Sequence, residues 1–323
     1  MKIFFYMPEA HLPSPERQAA WLSGNAPQLL SAGKSASAQS WLYQTWLELR
    51  ETLPVELVTS MPSRGTVITM GNFLTPHSLP SDQLFIANIV ADFIPHPGTH
   101  FQIVQNRAHS RRLPRSRFIP HWPQPNLIPR PASRAGQFET VAFFGDPKNI
   151  ASELATDSFA STLAHATGTS FEIRNAAQWH DYSNVDVALA IRDFSNASHL
   201  NKPATKLYNA WLAGVPLIGG RDSAFSAEGI ENENYLFARS PNHCIELVQK
   251  LKADPAFRAH IVASGHKKTA TRSREAVREI WKSFCENDLP HQAERWAQMS
   301  RPAKSLFWLS QQVILFFDRK IRS

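Results

Sequence analysis

The 323-residue chain is 43% hydrophobic and 19% charged, which excludes a disordered or fibrous protein and allows two domains of ordinary size. Two cysteines, Cys244 and Cys285, exclude a disulfide scaffold and suit a reducing cytoplasm. The net charge of +7 lies entirely in residues 258–323, with thirteen Lys and Arg against six acids, while the first 257 residues balance.

In chain order, the short apolar run at residues 2–7 predicts a first buried strand. Pro8, Glu9 and His11 follow at once with no small-residue cleavage site, so an export signal is not expected. Residues 36–53 carry Trp41, Leu42, Thr45, Trp46 and Leu49 at spacings of three and four, which predicts a helix. Residues 55–59, 66–70 and 84–90 are short apolar runs bounded by Pro, Gly or Ser, the pattern of strands buried on both faces of a parallel sheet.

Residues 93–138 hold no acid but seven arginines, at 107, 111, 112, 115, 117, 130 and 134. That clustering predicts partners carrying phosphate or other negative charge. Within it, Pro120, Pro123, Pro125 and Pro129 suppress helix, and the stretch after Asn126 through Gly136 reads as an interdomain linker. The expected domains are then 1–130 and 131–300, with 301–323 as a terminal amphipathic helix.

A second alternating series follows: strands at 140–144, 170–174, 185–191, 215–219 and 235–238, helices at 157–166 and 204–213, and long helices from 241 to about 299. Two such series predict an α/β protein of two Rossmann-like domains facing a cleft.

The most informative segment is NKPATKLYNAWLAGVPLIGGRDSAF, residues 201–225. Pro203 suits the first helical turn, Leu207, Ala210, Trp211 and Gly214 keep helical spacing, and Gly214 with Pro216 ends the helix. Lys202 and Lys206 therefore flank a helix start, where backbone N–H groups and the helix dipole already attract anions. They form a candidate diphosphate cradle, with Thr205 and Asn209 on the same helix; the alternative is a pair of solvated first-turn lysines.

The run Lys-Pro-x-x-Lys-Leu-x-x-Ala-Trp-x-Ala-Gly-Val-Pro, followed by a Gly-x-x-Ser-Ala-Phe turn, resembles the donor half of GT-B glycosyltransferases of the bacterial surface-polysaccharide type. The Ile119-Pro-His-Trp-Pro-Gln-Pro run and Phe143-Phe144-Gly145-Asp146 resemble the same group, and together these segments cover residues 118–225. The resemblance implies a nucleotide-sugar donor held by the C-terminal domain, with a glycan or lipid-linked acceptor approaching from the N-terminal one. Many GT-B enzymes carry two glutamates across this helix. Here the following turn offers Asp222 and then Glu228, which leaves the contact to the donor ribose or sugar open.

Other positions fit by their own chemistry. Gly145, Lys148 and Asn149 follow a strand at the carboxyl edge of the sheet, where open α/β folds bind ligands. Arg192 ends the strand at 187–191, and a guanidinium there would grip a diphosphate and offset leaving-group charge, unless Asp193 pairs with it. Gly219, Gly220, Asp222 and Ser223 make a turn that permits close backbone approach. An inverting reaction needs a base, for which His11, Asp92 and Glu9 are ranked in that order.

The histidines are scattered, the cysteines lie 41 positions apart and no Asp-x-Asp occurs, so neither a metal nor any other cofactor is expected. A nucleic-acid partner is not expected either, since the basic stretches lack interleaved aromatics and recognition motifs. A non-catalytic binder of nucleotide sugar on the same scaffold is the competing reading. Residues 301–323 are apolar but interrupted at Ser310, Gln311 and Gln312 and basic at both ends. They read either as a helix packed across the domain junction or as one lying on an anionic membrane surface.

Overall fold

The computed structural model describes residues 2–23, 35–75 and 80–322. These fall into two compact units, the first formed by residues 1–121, 200–203 and 275–323 and the second by 122–199 and 204–274. Each is built on one parallel sheet.

The first unit holds β1 (Ile3–Tyr6), β2 (Val55–Val58), β3 (Gly65–Thr69), β4 (Leu84–Ile89), β5 (Phe101–Val104) and β6 (Ser116–Phe118). They lie in the order β2-β1-β3-β4-β5-β6, all parallel. All six residues of β4 are buried, because helices cover both faces of a parallel sheet. Two strands go beyond the sequence pattern. In β5 the buried Gln102 breaks the apolar run, but its side chain pairs with Asn88 of β4 at 2.8 Å, so the polar group is satisfied inside. Edge strand β6 hides in the Pro- and Arg-rich stretch, where a charged sequence is tolerated.

The helix expected at 36–53 runs from 36 to 49, with a π-helical segment at Gln39–Tyr43. The C-terminal chain returns to this unit through the helices Arg274–Ser283, Leu289–Gln298 and Arg301–Arg322. Arg278 donates to Glu48 at 2.8 Å, and the buried His109 Nε2 lies 2.9 Å from Asp318 Oδ1.

Most of the acid-free arginines serve the fold. Arg115 lies over the Phe307 ring at 4.2 Å and donates to Gln311 Oε1, and its burial lowers its pKa. Arg117 pairs with Asp288, Arg107 lies over Phe118, and Arg130 and Arg134 share the buried Asp186. Arg111 and Arg112 are exposed.

The second unit holds β7 (Thr140–Phe144), β8 (Ser170–Arg174), β9 (Val187–Ala190), β10 (Leu217–Gly219) and β11 (Leu236–Phe237), in the order β11-β10-β9-β7-β8 and again all parallel. The period of two splits the core. Val141, Phe143, Val187 and Leu189 join one buried cluster, and Ala142, Phe144, Ala188 and Ala190 join the other. Small alanines on the second face leave room for Tyr182, Tyr208 and Trp211.

The Thr205–Ala213 helix sits on that second face and ends at Gly214, whose φ of 68° is the left-handed cap that favours glycine. Trp211 fixes it: its Nε1 donates to Asn234 O at 2.8 Å, and its ring lies where a Cβ on Gly265 would be only 2.4 Å away.

Candidate functional site

In the second unit, β8 lies on one side of β7 and β9 on the other, so the chain reverses direction across the sheet between β7 and β9. Open α/β sheets bind ligands outside the carboxyl ends of the strands at such a switch point. Gly145 follows β7 there and Arg192 follows β9.

The Lys206 ammonium lies 4.7 Å from the centre of the Phe143 ring, and a Cβ added at Gly145 would be 3.5 Å from its Nζ. A Cβ there would also lie 2.9 Å from the Phe143 ring, so the glycine lets that ring and the ammonium approach the backbone closely at the end of β7. No side chain caps the start of the Thr205–Ala213 helix, and the buried Thr205 Oγ1 has no hydrogen-bond partner. The helix start therefore presents N–H groups, a hydroxyl and an ammonium at one edge, a set suited to a phosphate.

Arg192 pairs not with its neighbour Asp193 but with Asp222, Nε to Oδ2 at 3.2 Å. Asp193 instead takes His199 at 3.0 Å and Ser195. The Asp222 carboxylate is buried, which raises its pKa against the pull of Arg192, and its other oxygen accepts from Ala224 N at 2.9 Å as the cap of the Ser223–Glu228 helix. Asp222 holds only Nε, which leaves the fork of Arg192 for another acceptor. Gly220 allows this turn to close on Ile191, since a Cβ there would meet Ile191 Cα at 3.3 Å.

The remaining residues named from the sequence are placed differently. Asn209 is buried, accepts from Gln124 N at 3.0 Å and bonds to Tyr182. Lys148 is exposed and pairs with Asp146 at 3.0 Å, and Asn149 closes the same turn through its backbone. Gly219 lies against Phe225, where a Cβ would be 2.8 Å from the ring, and Ser223 N donates to Ser198 O. Glu228 accepts from Tyr208 Oη at 3.0 Å and from Arg272. Sequence reasoning missed Arg272: its partner is 44 positions away, and no local pattern marks the pairing.

In the first unit the corresponding switch point falls between β1 and β3, since β2 and β3 flank β1. Glu9 and His11 form the turn after β1. Thr69 Oγ1 at the end of β3 donates to Tyr6 O at 2.8 Å, and the His11 ring lies 4.8 Å from Phe73 in the turn that follows β3. His11 Nδ1 is 3.2 Å from Ser35 Oγ. Glu9 is exposed.

Asp92 lies past β4, two strands from β1, so the sheet does not bring it to His11. It pairs with Lys202 at 3.1 Å, and its backbone carbonyl accepts from Asn201 Nδ2 at 2.9 Å. A candidate base and a candidate phosphate ligand are therefore partners of each other, on residues grouped in the same unit. Ala91 just before Asp92 and His199 just before the Leu200–Pro203 segment are both left-handed, at φ 50° and 48°. Such backbone costs energy in residues other than glycine.

Among the described residues, no group of three or more His, Cys, Asp and Glu could hold a metal ion. The histidines at 96 and 100 have the four-residue spacing of a metal pair but not its helix. His100 Nδ1 accepts from Ile86 N at 2.9 Å, and its ring packs against Phe85, Trp296 and Trp308.

Residues 147–279 match the model of the family described as Glycosyl transferase-like. No curated protein sequence matches the chain. Solved structures do. The sucrose-phosphate synthase of Thermosynechococcus elongatus matches at a TM-score of 0.55 and 12% identity, over 90% of this chain and 100% of that one. AviGT4, a glycosyltransferase involved in avilamycin A biosynthesis, matches at 0.53 and 14%, over 92% and 98%. Anabaena HepE in complex with UDP and glucose matches at 0.51 and 11%, over 89% and 100%. At such identities the likeness to these structures is one of fold, and the fold is GT-B. The family match across residues 147–279 falls almost wholly within the second unit and marks that part of the chain as glycosyltransferase-like.

Proposed function

We propose that the protein transfers a sugar from a nucleotide-sugar donor, bound by the second unit, to a glycan or lipid-linked acceptor bound by the first. The reaction needs no metal ion and serves bacterial surface-polysaccharide synthesis on the cytoplasmic side of the membrane, to which the protein binds peripherally. The observation that supports the donor half is the Lys206 ammonium beside the bare Gly145 backbone and the Phe143 ring, at the switch point of the sheet.

As the bond from the anomeric carbon to the diphosphate breaks, negative charge gathers on the leaving phosphate. Lys206, the fork of Arg192 and the N–H groups at the helix start neutralise it, the task a divalent cation performs elsewhere. Lys202, four positions before Lys206 in sequence and paired with Asp92, is the further candidate for a phosphate contact. Thr205 contributes its hydroxyl, and the Gly219–Gly220 turn, with Asp222 and Ser223, borders the sugar. For an inverting reaction His11 takes the proton of the acceptor hydroxyl, because it stands at the switch point of its own sheet; Asp92 and Glu9 are the further candidates.

Thermal melts against UDP-, GDP-, dTDP- and CMP-sugars test the donor half, with Lys206→Ala and Arg192→Ala alongside. Protection by at least one donor, lost in both variants, is expected. Unchanged protection in both refutes their phosphate role. Protection without nucleotide release, with glycan and lipid-linked acceptors present, favours a non-catalytic binder.

A further inference from the structure

The Arg301–Arg322 helix has two faces of opposite character. Trp308, Gln311, Leu315 and Asp318, spaced by three, four and three, are buried in the first unit. His109 binds Asp318, Gln311 Nε2 donates to Thr99 O at 3.2 Å, and Leu315 joins Val90, Val104 and Leu113 in one apolar cluster. The other side carries Leu306, Leu309, Val313, Phe316 and Phe317, between 55% and 67% exposed. Their spacing keeps all five on one side of the helix. A mainly apolar notch lined by Pro97, Gln312, Val313, Leu315, Phe316 and Phe317 continues that surface onto the segment after β4.

Basic residues lie near it along the chain. The exposed Arg111 and Arg112 lie between His109 and Leu113, the two residues that tie their segment to the helix. No acid occurs anywhere in residues 93–138, and the sequence adds Arg319, Lys320 and Arg322 at the end of the helix, where side chains lie outside the described ones. No helix among the described residues is long and apolar enough to cross a membrane.

We infer that this face docks on an anionic lipid surface. Leu306, Leu309, Val313, Phe316 and Phe317 enter the boundary between headgroups and acyl chains, while Arg111 and Arg112 contact lipid phosphates. The combination selects the occupant: a wide apolar side favours insertion, and the acid-free stretch with the basic end of the helix favours anionic over zwitterionic lipid. The inference deepens the acceptor side of the proposed reaction and rests on it only for its purpose. Docking brings the loop bearing Asp92, Phe93 and Ile94 toward the membrane, because Pro97 of that segment shares the notch with Phe316 and Phe317.

The test is co-sedimentation of the full chain, without any sugar donor, with phosphatidylcholine vesicles lacking or containing phosphatidylglycerol. Wild type is expected to bind the anionic vesicles and to lose affinity as salt rises. The triple variant Leu309→Ser, Val313→Ser, Phe317→Ser is expected to bind roughly tenfold or more weakly, each exposed position having lost its apolar insertion. The double variant Arg111→Glu, Arg112→Glu is expected to lose the preference for anionic lipid. Its readout stands even if the triple variant unfolds. Absence of wild-type binding, or undiminished binding by the double variant, overturns the inference. So does a dimer in sedimentation velocity that the triple variant abolishes while vesicle binding persists. A failure here leaves donor melts unaffected, so the two proposals fail separately.

Discussion

At the level of single residues, the proposed donor site depends on the close approach that a glycine allows at position 145. A Cβ there would press on the Phe143 ring at 2.9 Å and occupy the space beside Lys206. Gly145→Ala is expected to weaken nucleotide-sugar binding by about tenfold or more, the loss of roughly 1.4 kcal/mol, with a smaller effect on folding. Titration calorimetry with a donor measures it. Asp222→Asn removes the charge that orients Arg192 while keeping an acceptor for Ala224 N, so a several-fold loss of donor affinity is expected with the fold intact.

His100 supplies a test of pH dependence. Burial among aromatic rings pushes its pKa down from 6.5 to about 3. The unfolded histidine takes a proton near its ordinary value and the folded one only far below, so the unfolded state holds more protons between those limits. Stability therefore falls as pH drops through that window, by about 1.4 kcal/mol per pH unit. Denaturant melts of His100→Gln, whose amide can still accept from Ile86 N, should show that slope removed. The place of Lys206 in the first turn of a helix was legible in the sequence, because the apolar spacing after Pro203 marks where that helix begins. The Arg192–Asp222 pair was not, since nothing local favours a partner 30 positions away over the adjacent Asp193.

At the level of elements, the site helix Thr205–Ala213 is held by Trp211 against the Pro255–His266 helix, through the gap left at Gly265. Gly265→Ala places a Cβ 2.4 Å from the indole, and overpacking should cost about 1 to 3 kcal/mol of stability, read by denaturant melts. Donor affinity should fall with it, because the helix start moves with the helix. Elements with plain apolar periodicity, such as β4 and this helix, could be placed from sequence. Strands β5 and β6 could not: Gln102 is polar yet buried, its amide matched by Asn88, and Ser116–Phe118 is an edge segment within a run of arginines. The basic run itself reads as a binding surface in sequence. In the folded chain Arg115 lies over Phe307 and Arg130 and Arg134 close on Asp186, through partners that only the fold supplies.

For the whole molecule, each of the two parallel sheets has a switch point at its carboxyl edge, with Gly145 and Arg192 following the strands at one and Glu9 and His11 at the other. Alternation of apolar runs and helical periods is enough to foresee both sheets, because a parallel strand buried on both faces has few other readings. The chain's course is harder to foresee: residues 200–203 and 275–323 join the first unit, guided by contacts such as Lys202 with Asp92 and Arg278 with Glu48. The central claim is that Lys206 and Arg192 hold the diphosphate of a nucleotide sugar. Calorimetric titration of wild type, Lys206→Ala and Arg192→Ala with the donor that gives the largest thermal protection tests it directly. The account expects wild-type binding and at least a tenfold rise in Kd in each variant, about 1.4 kcal/mol apiece. Wild-type affinity retained in both variants would contradict it.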